Sequence, residues 1–242
     1  MATFKRGDVS LYFEEFGSGY PILLFAPGGM RSSIEFWHQS PFDPTVELAQ
    51  DFRVIAMDQR NAGQSRAPIS ASDGWETYAE DHVALLDHLG IKSTHAMGGC
   101  IGGSYSLGLI KAIPDRVSAA VLQQPIGLSD NNRDKFLQMF DGWAESLKKK
   151  RPELDAAAFG PFRERMYGQT DFVFNVSRDF VRKVQTPLLV LRGNDEYHPS
   201  ETSEEIATIA PHGEIISEWK TSGTVGRTVE RVIGFLKKHT PR

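Results

Sequence analysis

Short, nearly all-apolar runs recur along the chain. They are 22-ILLFA-26, 53-RVIAMD-58, 94-THAM-97, 118-SAAVLQ-123 and 188-LLVLRG-193, with 214-EIISEW-219 as a last strand. Runs of this kind suit strands buried on both faces of a parallel sheet. Residues 9–16 (VSLYFEEF) alternate apolar and polar instead, as a half-buried strand does, and Gly17-Ser18-Gly19 turns the chain after them. Amphipathic helical stretches fall between the runs, at 76–89, 101–112, 201–209 and 224–239. The last places Val225, Val229, Val232, Ile233 and Leu236 on one face. This alternation predicts an α/β domain with a mostly parallel sheet.

Residues 130–186 break the rhythm, because one crossover helix needs far less chain. They hold helical pieces and the aromatics Phe136, Phe140, Trp143, Phe162, Tyr167, Phe172, Phe174 and Phe180. We expect a core formed by residues 1–128 and 187–242, and a small helical cap at 129–186. The cap should cover the carboxyl edge of the sheet, where open α/β sheets bind ligands.

Composition narrows the function. The chain has 242 residues, 40% of them hydrophobic, enough for one large core, and a formal charge of -4. That charge leaves no electrostatic footprint for nucleic acid and no polybasic face for a membrane. The basic run Lys148–Arg151 reads as a solvated helix face. MATFKRGDVS has no apolar signal segment, and no run reaches membrane-spanning length, so a cytoplasmic protein acting on a small molecule is expected. A single cysteine excludes a disulfide framework and a thiolate metal cluster; we expect no metal and no cofactor.

That cysteine lies in 97-MGGCIGG-103, among four glycines. The segment 94-THAMGGCIGGSYSLGLIKAI-113 reads as strand, sharp turn, helix, with G-x-C-x-G from Gly98 to Gly102. A nucleophile on such a turn sits in strained backbone and needs small neighbours. The next amide, of Ile101, opens a helix and favours negative charge beside the sulfur, which lowers a thiol pKa.

These features resemble the α/β-hydrolase superfamily along nearly the whole chain. The segment 26-APGGMRSS-33 is similar to the glycine loop that supplies a second oxyanion amide, from Gly29 or Met30. The segment 58-DQRNAGQS-65 resembles the D-x-R-G-x-G-x-S signature, with Asn61 for its first glycine. The stretch 78-YAEDHVALLDHLGI-91 resembles the helix before the elbow, and 187-PLLVLRGNDEYHP-199 the strand and loop of the catalytic acid, which places Asp195 there. The resemblance implies an eight-stranded, mostly parallel sheet with helices on both faces.

Two departures bear on the chemistry. Cys100 stands where most members have Ser, as in dienelactone hydrolase-like members. The loop 220-KTSGTV-225 lacks the expected histidine and offers only Lys220, Thr221 and Thr224, none a good base near neutral pH. Of the seven histidines, His82 and His88 are expected at a helix surface and His95 in the core. His212 lies in a turn and His239 near the C-terminus, while His38 follows the oxyanion loop within reach of a pocket. His198, three residues after Asp195, is the candidate replacement base. Asp195, Asp130 or Glu35 is the acid that orients it. Glu35, Arg31, Trp143 and Tyr167 are substrate-binding candidates, and Arg31, Arg60, Arg66 and Arg133 are placed to meet a carboxylate.

The expectation is a hydrolase that attacks an activated ester, lactone or thioester with Cys100, with oxyanion donors Ile101 and Gly29 or Met30, and His198 and Asp195 as base and acid. A lyase on the same scaffold and a catalytically inactive binding protein are the alternatives, to be decided by whether His198 approaches Cys100.

Overall fold

The computed structural model describes residues 2–168 and 172–241. In chain order its elements are β1 (Ala2–Arg6), β2 (Val9–Phe16), β3 (Tyr20–Phe25), α1 (Pro44–Glu47), β4 (Phe52–Met57), α2 (Trp75–His88), β5 (Thr94–Gly99) and α3 (Ile101–Ala112). There follow β6 (Val117–Gln123), α4 (Arg133–Lys150), α5 (Phe159–Tyr167), α6 (Arg178–Val181), β7 (Leu188–Leu191), α7 (Ser200–Ile209), β8 (Gly213–Ile216) and α8 (Val225–Lys238). The strands form one sheet in the order β1-β2-β4-β3-β5-β6-β7-β8. β1 and β2 run antiparallel to their neighbours, and every pairing from β4 to β8 is parallel.

The period of two along each apolar run divides the core into two layers. Leu23, Phe25, Ile55, Met57, Leu122 and Val190 face one side, which α2, α3 and the 133–181 helices cover. Ile22, Leu24, Val54, Ala56, Val121 and Leu191 face the other, against Trp37, Trp219 and the Val232, Phe235 and Leu236 stripe of α8. Seven strands lie where the runs and the alternating stretch predict them. The eighth, β1, is read from no pattern: 2-ATFKR-6 is a largely exposed edge, held by pairing Ala2–Arg6 with Val9–Phe13.

Between β6 and β7 the chain forms α4, α5 and α6. Phe136, Phe140, Trp143, Phe162 and Tyr167 are each at most 3% exposed and pack ring on ring. They close the core of this insertion rather than wall a wide pocket. α4 presses on the turn after β3, where Met139 Sδ lies 2.5 Å from the point a Gly29 Cβ would occupy. α4 thus lies over the loop that leaves β3.

Candidate active site

The elbow is built by backbone contacts that exclude side chains. A Cβ on Gly98 would meet Gly102 O at 1.9 Å, and one on Gly102 would meet Phe25 O at 2.1 Å. Strand β5 and helix α3 therefore join only through glycine at both positions. Cys100 at the apex has φ 57 and ψ -118, a strained conformation for a residue with a side chain. Its N–H donates to Gln123 O at 2.9 Å, and its carbonyl accepts from Gly103 at 3.0 Å and Ile126 at 3.2 Å. These bonds fix the apex, and Cys100 keeps partial exposure.

The glycine loop after β3 is held by the signature loop after β4. Asp58 Oδ1 accepts from Ile34 N at 2.8 Å and Oδ2 from Gln64 N at 2.7 Å. Ser65 Oγ donates to Asp58 O at 2.8 Å. Asn61 takes the left-handed φ of 59 that the family's glycine would adopt; its Oδ1 accepts from Ala67 N at 2.9 Å.

Three groups act on the sulfur. Burial pushes the Cys100 thiol up, but this is outweighed by the hydrogen bond and charge of His198 and by the amides of Ile101 and Gly28, so its pKa lies below the ordinary value. The glycine-loop amide that acts on the resting thiol is that of Gly28. The Met30 side chain lies in the core, where Sδ accepts from Tyr167 Oη at 3.7 Å.

His198 lies in the loop after β7, bonded to the acid of that loop. Its Nδ1 lies 2.7 Å from Asp195 Oδ1 and 2.8 Å from Oδ2. Its Nε2 is buried, and Cys100 and Asp195 are the groups that act on the ring. Burial pushes the imidazole down, but the Cys100 sulfur and the Asp195 carboxylate outweigh it and raise the pKa to about 9. The Asp195 carboxyl, pushed up by burial, is drawn below its usual range by His198 and two backbone amides. The lowered thiol and the raised imidazole shift in the directions that favour transfer of the thiol proton to the ring.

The remaining candidates lie elsewhere. Glu35 is exposed and, with Arg31 and Trp143, lines a cavity of about 380 Å³ against the signature loop. Asp130 is exposed on the approach to α4, and Asp195 is the acid bonded to His198. His38 is exposed and bonded to Asp43 at 2.6 Å. Arg60, expected at the mouth, is 4% exposed and paired with Asp81 at 2.7 Å. Arg66 donates to Gly63 O and Ser65 O, and Arg133 to Tyr167 O and Gly168 O.

His82, expected at a surface, is fully buried, with Nε2 2.7 Å from Gln59 Oε1 and its ring 4.3 Å from that of Phe25. The Arg60–Asp81 and Gln59–His82 contacts cover this polar face of α2 with the signature loop. His88 is exposed and His95 is buried, as expected.

The sheet order, the elbow and the glycine loop define a nucleophile-elbow α/β protein. A family model described as the alpha/beta hydrolase fold matches residues 21–213, and the chain belongs to that family. A putative carbamate hydrolase of Azorhizobium caulinodans is 36% identical over 117 residues, 48% of this chain and 41% of that protein. The acetyltransferase component of an acetoin cleaving system of Pseudomonas putida is 32% identical over 136 residues, 55% of this chain and 35% of that one. The matched segments thus span less than half the length of these two relatives. A bifunctional esterase/perhydrolase of Acinetobacter calcoaceticus is 27% identical over 258 residues, 89% of each chain.

Among solved structures, a meta-cleavage product hydrolase of Pseudomonas fluorescens superimposes with a TM-score of 0.73 at 16% identity, covering 99% of this chain and 98% of that one. An enol-lactonase of Burkholderia xenovorans does so with a TM-score of 0.71 at 16% identity, covering 98% and 100%. These two likenesses show the common fold.

Proposed function

We propose that the protein hydrolyses activated carboxylic esters, lactones or thioesters through a covalent acyl-enzyme on Cys100. One arrangement carries the reading: Cys100, the one thiol of the chain, sits at the strained apex of the elbow, and His198, bonded to Asp195, and the amides of Ile101 and Gly28 are the groups that lower its pKa. The relatives named as esterase, perhydrolase and carbamate hydrolase support the broader class.

In this reading the Cys100 thiolate attacks the carbonyl carbon, and a C–S bond forms as the carbonyl oxygen takes the negative charge. The amides of Ile101 and Gly28 hold the resting sulfur. They become available to the oxyanion once the sulfur has spent its charge in the new bond. The adduct collapses with cleavage of the carbon–leaving group bond. His198 gives its Nε2 proton to the departing oxygen or sulfur. The neutral imidazole then takes a proton from water, which attacks the thioester and releases the acid and the thiolate. Asp195 holds Nδ1 and so aims Nε2.

A thiolate is itself a good leaving group, so amide substrates return to the start faster than they cleave. Phenolate, enolate and thiolate leaving groups suit the site. The experiment is turnover of p-nitrophenyl acetate, an aryl carbamate, dihydrocoumarin and an aryl thioacetate by the native protein and by Cys100→Ala. Mass spectrometry of the quenched native reaction provides the second readout. Turnover lost in Cys100→Ala and an acyl mass on the Cys100 peptide are expected. Turnover that survives in Cys100→Ala, or no turnover and no acyl adduct with any of the four, overturns the reading.

A further inference from the structure

The acid and the base occupy one short loop here. Asp195 and His198 are three residues apart, and the Asp195 side chain is 47% exposed. When acid and base come from separate loops, the acid locates the base in space as well as orienting it. On a shared loop the acid travels with the base. It aims the ring without fixing its distance from the sulfur, so something outside the loop must do so.

The segment leaving β6 is in contact with both sides. Gln123 O accepts from Cys100 N at 2.9 Å, and Ile126 N donates to Cys100 O at 3.2 Å. One residue on, Gly127 N donates to Tyr197 O at 3.3 Å. Residues 123–127 are a strap between the nucleophile and the acid–base loop.

Two side chains tie the strap to that loop. Lys220 Nζ donates to Gln124 Oε1 at 3.1 Å and to Asn194 Oδ1 at 2.6 Å. Asn132, 2% exposed, donates from Nδ2 to Gly127 O and to Glu196 O, both at 2.8 Å. Its Oδ1 accepts from Ser129 N at 2.9 Å, so both N–H donors and the oxygen are engaged. Asn194 precedes the acid and Glu196 follows it, so the loop is pinned on each side of Asp195.

We propose that Lys220 and Asn132 are positioning residues, a two-point brace that sets the reach of His198 toward Cys100. Lys220 belongs to the loop after β8, where this family carries its histidine. In this chain that loop contributes a tether, and the base has moved to the loop it tethers. The proposal rests on the functional reading above.

The test is the pH profile of iodoacetamide alkylation for the native protein, Lys220→Met, Lys220→Arg and Asn132→Ala, with melting temperatures and kcat and KM on p-nitrophenyl acetate. The brace predicts that Lys220→Met and Asn132→Ala each raise the alkylation pKa, and that alkylation at pH 6 slows about tenfold for each unit of that rise. kcat falls while KM changes little, and Lys220→Arg, which keeps donors at this site, recovers most of the loss. A native profile in both truncations, with only the melting temperature lowered, overturns the brace and leaves the functional reading standing. A native thiol that titrates like a free one overturns both. If Asn132→Ala does not fold, the half-buried Lys220 pair decides the question.

Discussion

His198 Nδ1 lies within 2.8 Å of both carboxylate oxygens of Asp195, on the same loop after β7. Asp195 Oδ1 also accepts the backbone N–H groups of Tyr197 and His198, at 3.0 and 3.1 Å. The acid therefore shapes the loop as well as orienting the ring. Gly193 permits this tight path, because a Cβ there would meet His198 O at 2.3 Å.

Removing the imidazole tests its role as base. His198→Ala is expected to raise the alkylation pKa of Cys100 toward that of a free thiol and to lower kcat/KM by about 10²–10⁴-fold on activated esters. Stopped-flow alkylation and steady-state kinetics measure both effects. A change under twofold in each contradicts the assignment.

Asp195→Asn keeps an oxygen for the loop amides but removes the charge and allows the wrong imidazole tautomer. The expected result is a protein that melts within a few degrees of native, with kcat reduced at least ~100-fold. Retained kcat with a lowered melting temperature would make Asp195 a loop-forming residue only.

The His198 pKa carries a stability signature. It is raised from 6.5 to about 9 in the folded protein. Its contribution is then full below pH 6.5 and is lost as pH rises through 9. The difference in melting temperature between the native protein and His198→Ala should narrow across that window. A difference that widens there contradicts the pairing.

His82 has the opposite sign. Burial, with a smaller effect from the Arg60 charge, lowers its pKa to about 3. Below pH 6.5 the unfolded chain binds a proton that the folded chain refuses, so stability falls with pH by up to about 1.4 kcal/mol per unit from this group. His82→Gln should flatten the acid limb of a urea-midpoint titration. An unchanged limb places the acid sensitivity elsewhere.

The strand runs and the elbow are legible in the sequence because each is a local pattern, unbroken apolar runs and glycines around one cysteine, and the Asp195–His198 loop is reached through its resemblance to the family's acid loop. What escapes is set by contacts between distant segments. His82 and Arg60 read as surface residues because their partners, Gln59 and Asp81, lie more than 20 residues away. Asn132 and Lys220 carry no local signal, since their value lies in bridging loops 64 and 26 residues distant. β1 escapes because an exposed edge strand has no hydrophobic period to display. Glu35 follows the glycine loop, as a residue near the thiol should, but the 3-10 turn Ile34–Gln39 leaves it exposed beside the signature loop.

Activation of the thiol at the elbow is directly measurable, because the chain has a single cysteine. Iodoacetamide alkylation of the native protein, followed from pH 5 to pH 10, reports the thiolate alone. An activated Cys100 gives an alkylation pKa well below the ~8.5 of a free thiol. A profile centred at or above ~8.5, or a thiol that reacts only after unfolding, means that Cys100 is not activated.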